Sequence, residues 1–190
     1  MEVIALSRPK SGEEANGDAY LVESYESGAG EEKVLIAVVD GLGHGKGAEV
    51  ASRTALDFIR AHKYLPLKEM VKSLHIALIG TRGVVIGLSE VSIPDDELSY
   101  IGIGNITSQI VNDKERYHLT SMNGVLGWNL RRIKEFKYDF QSGWLVMNTD
   151  GIGRFHAYDY ISTDLHAMAS KIVQEHGRDD DDATIVIALK

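Results

Sequence analysis

Apolar residues recur along this chain in two rhythms. Runs rich in valine and isoleucine, or alternating apolar with polar, fall near 2–7, 19–24, 33–39, 83–91, 97–103, 106–112, 134–140, 143–148 and 183–189, and predict strands. Phe136, Tyr138 and Phe140 place aromatics on one face, with Lys137 and Asp139 on the other, as in a strand with one wet side. Val34–Val39 and Thr184–Leu189 are apolar almost throughout, so those strands are expected to be covered on both faces.

Helical spacing appears in three places. In 46–62, Ala48, Ala51, Ala55, Phe58 and Ile59 form a stripe, with Glu49, Arg53 and Arg60 expected largely outside it. In 66–79, Pro66 suits a first turn, and Met70, Val71, Leu74 and Leu78 follow at helical intervals. In 163–176, Ser162 or Thr163 is placed to cap the start, Leu165, Met168, Ala169, Ile172 and Val173 face inward, and Gly177 ends the run. Strands in hairpins, with a helix pair after the third and one helix before the last, predict an antiparallel α+β sandwich rather than a parallel βαβ sheet.

A length of 190 residues, 44% of them apolar, suits one core, and a single domain spanning 1–190 is expected. There is no cysteine, so a thiol nucleophile, a disulfide framework and a thiolate metal site are excluded. The formal charge of −8, with basic residues dispersed, argues against nucleic-acid and anionic-membrane partners. No apolar run reaches the roughly 18 residues that cross a bilayer, and Met1–Lys10 lacks the plan of a secretion signal. A cytoplasmic location is the expectation.

The excess carboxylates acquire meaning from their positions. Two apolar runs end in Asp-Gly, at Asp40-Gly41 and Asp150-Gly151, and Asp181-Asp182 opens the last strand. Asp18 immediately precedes the second strand. In an antiparallel sheet, strand ends lie beside strand beginnings, so these groups can meet at one rim. Carboxylates gathered there repel one another unless a cation neutralises them, and an all-oxygen set suits Mg²⁺, Mn²⁺ or Ca²⁺ better than zinc. The glycines would let the backbone turn away sharply, and Gly41 can offer its carbonyl. The plainer alternative is that each Asp-Gly is only a turn and Asp179–Asp182 a solvated loop; the adjoining apolar runs favour a common site. Trp128 and Trp144 are expected to fill or cover the core. Gly104-Asn105 suits a tight turn, with Asn105 supporting the site.

Asn16-Gly17-Asp18, Val39-Asp40-Gly41-Leu42-Gly43-His44-Gly45, Arg82-Gly83, Gly102-Ile103-Gly104-Asn105, Asn148-Thr149-Asp150-Gly151 and Asp181-Asp182-Ala183-Thr184 occur in an order that resembles the PPM family of metal-dependent protein phosphatases, in its compact bacterial SpoIIE/RsbU/RsbX branch. The resemblance implies a four-layer α-β-β-α sandwich of two mostly antiparallel sheets. It implies two Mn²⁺ or Mg²⁺ ions bridged by Asp40, one completed by Asp150 and Asp181, the other by Asp18 and the Gly41 carbonyl, with Asp182 as a supporting or alternative ligand. A hydroxide between the ions would attack phosphoserine or phosphothreonine directly, and the implied partner is a phosphorylated STAS-domain or related stress-signalling protein.

The chain departs from the pattern of many eukaryotic members. Leu42 stands where they carry a histidine, so His44 becomes the candidate acid, and no arginine precedes Asp18 closely enough to clasp phosphate. Val84-Val85 also replaces the Ala-Thr that often follows Arg-Gly in bacterial relatives. These departures motivate the rival reading of a catalytically weak pseudophosphatase that only docks. A nucleotide phosphodiesterase is disfavoured, because Gly41–Gly47 lacks the Walker pattern.

Overall fold

The computed structural model describes residues 1–112 and 115–190. The chain begins with β1 (Glu2–Arg8), β2 (Asp18–Glu26) and β3 (Glu32–Gly41), then α1 (Lys46–Ala61) and α2 (Leu67–Ala77). Next come β4 (Val84–Ser92), β5 (Glu97–Ile103), β6 (Thr107–Val111) and β7 (Arg116–His118). Short strands follow at β8 (Ser121–Met122), β9 (Gly124–Val125) and β10 (Asn129–Leu130), before β11 (Phe136–Asp139) and β12 (Trp144–Asn148). A 3₁₀ turn at Ala157–Tyr160, α3 (Leu165–His176) and β13 (Ala183–Leu189) complete the order.

Two sheets result. One runs β1-β13-β12-β6-β7; the other runs β11-β5-β4-β3-β2, with β8 joined to β5 as its parallel member. The apolar stretch of β3 explains the layering through its alternation. Leu35, Ala37 and Val39 pack towards α1 and α2, against Ala51, Ala55 and Ile59. Val34, Ile36 and Val38 point the other way, into a core shared with Leu145, Met147, Val186 and Ala188 of the second sheet. That sheet's far face, including Ile185 and Ile187, is covered by Leu165, Met168, Ala169 and Ile172 of α3. Three apolar interfaces therefore separate four layers, the α-β-β-α sandwich expected.

Several local expectations are corrected. Glu49 lies inside rather than outside the α1 stripe; it is 8% exposed and accepts hydrogen bonds from Lys46 and Arg53, one turn to either side. The cap of α3 is Asp164, whose Oδ1 accepts from the Ala167 amide at 2.9 Å; Ser162 supports it by accepting from the Asp164 amide. Trp128 does not cover the core, being 76% exposed. Trp144 does pack against the α3 layer, and its indole N–H donates to the Ser162 carbonyl at 3.0 Å. Val84 and Val85 are both buried, which leaves the β4 packing intact.

Candidate metal centre

Asp18 and Asp40 face each other in the β2/β3 ladder. Asp150 follows β12 and Asp181 precedes β13, neighbouring strands of the other sheet. The aspartates thus meet across the sandwich, two from each sheet, rather than along one rim of one sheet. Asp40, Asp150 and Asp181 line a common cavity of about 460 Å³, with Leu42, His44 and Asn105 also in its wall.

The glycines serve close approach instead of a sharp turn. A Cβ on Gly41 would run into the Ala48 carbonyl at the start of α1, and one on Gly151 into the Asp182 carbonyl. Neither has the positive φ of a left-handed turn. Hydrogen alone at these positions lets α1 sit against Asp40 and the β13 approach sit against Asp150.

Each carboxylate has its own support. Asn105, set by a turn in which Gly104 takes φ 94°, donates from Nδ2 to Asp150 Oδ2 at 2.8 Å. Asp182 is 4% exposed and both its oxygens are engaged, with the Lys10 amide at 2.8 Å and the Gly17 amide at 2.9 Å. It therefore ties the segment before β2 to the start of β13. Asp181 Oδ1 accepts from the Asp182 amide at 3.0 Å. Asp18, 5% exposed, accepts from the Thr149 hydroxyl at 2.6 Å, and Thr149 Oγ1 in turn accepts from the Thr184 amide at 3.0 Å. Thr184 Oγ1 lies 2.7 Å from Ser7 Oγ, which accepts from Asn16 Nδ2 at 2.9 Å.

Negative charge is concentrated here, and Arg178 offsets only part of it at Asp181. Burial, reinforced by the charges of Asp18, Asp150, Asp181 and Asp182, pushes the Asp40 carboxyl up to about 8. Burial raises Asp18 to about 7, opposed by hydroxyl hydrogen bonds from Thr149 and Thr184 and assisted by Asp182 and Asp181. Asp181 is raised as well, first by burial and then by Asp150.

Among the described residues, no group of three or more acidic or imidazole side chains is arranged so that it could hold a metal ion as it stands. The donor chemistry nonetheless fits divalent ions. Every converging group is an oxygen donor; burial is the larger cause of their raised affinity for protons, and their mutual repulsion adds a field that also favours hard cations. A cation there would replace the protons these carboxyls otherwise retain.

His44 is exposed, and its Nδ1 lies 2.5 Å from Glu13 Oε1. Arg82, from the Arg82-Gly83 pair, braces the same loop by donating from its guanidinium to the His44 carbonyl at 2.9 Å. Sequence reasoning missed the parts played by Thr149, Thr184, Ser7 and Glu13. The two threonines sit beside Asp150 and Asp182, but only the cross-sheet register reveals that they serve Asp18.

Thr149→Val is expected to keep the shape while removing the hydroxyl that favours ionised Asp18. Manganese affinity, read by calorimetry, should fall about tenfold and recover in Thr149→Ser. Unchanged affinity in the valine variant would show that this hydroxyl does not support the site.

No protein-family model matches the chain. Among curated proteins it is 20% identical over 154 residues to the phosphoserine phosphatase RsbX of Bacillus subtilis strain 168, covering 80% of this chain and 75% of that one. Among solved structures, one from work on the bacterial stressosome as a modular system adapted to control secondary messenger signalling has a TM-score of 0.90 and 29% identity, covering 98% of this chain and 97% of the other. RsbX in complex with magnesium gives 0.88 at 16% identity, with 98% and 94% covered. The PP2C phosphatase domain of Bacillus subtilis SpoIIE, with a fragment of its regulatory domain, gives 0.79 at 18% identity, covering 99% of this chain and 62% of that one. In fold and in sequence the chain is similar to PPM-type phosphatases. RsbX is a relative that it matches in both sequence and fold.

Proposed function

We propose that this protein hydrolyses phosphoserine or phosphothreonine on a bacterial stress-signalling protein, with a phosphorylated STAS-domain component as the partner class. The observation that carries this reading is the convergence of Asp18 and Asp40 from one sheet with Asp150 and Asp181 from the other, where burial and the neighbouring carboxylates raise the hold of Asp18, Asp40 and Asp181 on protons. The relatives support the substrate class, one being a phosphoserine phosphatase and another coming from work on the stressosome.

Asp40, Asp150 and Asp181 would hold one Mn²⁺ or Mg²⁺ ion, and Asp40, Asp18 and the Gly41 carbonyl a second. When bound, such a pair supplies an acidified water and neutralises charge developing on the phosphoryl group. The chain's own residues position and balance that chemistry. Asn105 fixes the Asp150 carboxylate, while Thr149 keeps Asp18 oriented and favours its ionised form. Asp182, with both oxygens committed to backbone amides, acts by holding the Lys10–Gly17 segment in place rather than as a ligand. His44, held at Nδ1 by Glu13 and lining the same cavity as Asp40, has Nε2 left to pass a proton to the leaving serine oxygen.

Purified protein with Mn²⁺ is expected to release phosphate from p-nitrophenyl phosphate and from phosphorylated STAS proteins, followed by colour and by mass spectrometry. Manganese binding with no turnover on any of these substrates would favour the docking module instead.

A further inference from the structure

A second cavity, of about 840 Å³, opens beside the carboxylate site and shares Asn105 and Asp150 with it. Its far end shares His118 and His156 with a third, of about 290 Å³, which reaches Arg116 and Tyr158. The three form one continuous groove leading away from the metal centre. Its wall is held from inside: buried Gln109 accepts from the Ala157 amide at 3.0 Å and donates to the Phe155 carbonyl at 3.4 Å. Its floor includes Asn148, whose Nδ2 donates to the Thr149 and Ile152 carbonyls, while its buried Oδ1 has no donor among the described residues.

Beyond the metal centre the groove is basic on balance, Arg154, Arg178 and Arg116 outnumbering Asp150 and Asp159 in its lining. The chain carries −8 overall, yet Arg154, Arg178 and Arg116 lie along the groove with His118 and His156. Arg178 is paired with Asp180. Arg154 and Arg116 are exposed and take part in no ion pair among the described residues; Arg116 is steadied by stacking on Tyr158, its guanidinium carbon 3.1 Å from the ring centre. Unpaired arginines set along a channel from an acidic, metal-binding centre are placed to receive a ligand that is anionic along its length, not only at its phosphate.

We propose that this groove is a specificity subsite for the chain flanking the phosphoserine, and that it selects acidic residues on that flank through Arg154 and Arg116. The inference rests on the phosphatase reading and adds the substrate's local sequence chemistry to it. Asp150 marks the end of the groove at which the phosphoryl group enters. The strongly negative net charge, unfavourable to an acidic partner at long range, makes a local basic track necessary for such a substrate to dock.

The test uses the manganese-loaded protein and three phosphoserine peptides alike except for acidic, neutral or basic flanks. The wild type should prefer acidic over basic flanks by about tenfold in kcat/KM, chiefly through KM, with the gap narrowing at high salt. The double variant Arg116→Glu/Arg154→Glu should abolish or invert that order while kcat/KM on p-nitrophenyl phosphate stays within about twofold. A wild type indifferent to flanking charge would overturn the proposal, as would a variant that loses the small substrate and all three peptides in equal proportion. Should the wild type fail even on p-nitrophenyl phosphate, the phosphatase reading falls separately. Fluorescence anisotropy with the same labelled peptides would then decide on the groove: acidic-first binding that the double variant loses supports it, and equal binding refutes it.

Discussion

Asp40→Asn is expected to reduce manganese-dependent hydrolysis of p-nitrophenyl phosphate by at least about a thousandfold, on the order of 4 kcal/mol of transition-state stabilisation. Asp40 pairs with Asp18 across the strand ladder and shares a cavity with Asp150 and Asp181, so in the proposed site it would be the carboxylate common to both ions. Removing its charge leaves no group that could serve two ions at once. The fold should not suffer, because Asp40 is held against burial and against the charges of four other aspartates. In chelator, the asparagine variant should melt at the same temperature as the wild type or higher. Turnover within tenfold of wild type would remove Asp40 from the catalyst. A large drop in melting temperature would instead assign it a structural role.

The second large effect concerns stability in the absence of divalent ions. Asp18 and Asp40 have ordinary carboxyl values of 3.8 and folded values of about 7 and about 8. Across that interval the folded protein retains protons that the unfolded chain releases, so unfolding free energy must fall as pH rises. The contribution is fully present below about pH 4 and is lost as pH passes through 7 and 8. Each group changes stability by up to about 1.4 kcal/mol per pH unit within its window, and the pair together by several kcal/mol. Manganese takes the place of the protons, so its stabilisation should be larger at pH 8 than at pH 6. Denaturant titrations at pH 6, 7 and 8, with chelator and with Mn²⁺, measure both trends, and the Asp18→Asn/Asp40→Asn variant isolates the contribution of these two groups. A metal-free protein equally stable at pH 6 and pH 8, with the double variant showing the same profile, would contradict the electrostatic account.

The fold was readable wherever burial imposes a period. β3 and β13 are covered on both faces and read as continuous apolar runs, and the stripes of the three helices match the sides packed on the sheets. The short strands β7, β8, β9 and β10 escaped, because two or three residues are too few to show alternation, and β8 moreover pairs with β5 rather than with a sequence neighbour. Glu49 was misplaced because its charge suggests solvent, whereas Lys46 and Arg53 neutralise it where it lies. The aspartates could be found from their places at strand ends. That they come from two facing sheets could not, since neither composition nor spacing says which strands share a sheet. The partnership of Thr149 with Asp18, 131 positions away, was hidden for the same reason.

The strand order has a consequence for synthesis. β1, made before the other strands of this fold, finds its only ladder partner among the described residues in β13, the last of them to be made. Asp182, which clamps the approach to β2, also arrives with that final segment. A nascent chain therefore carries an unpaired β1 and an unfinished site until the β13 segment has emerged, so competence comes in one step with that segment rather than accumulating during translation.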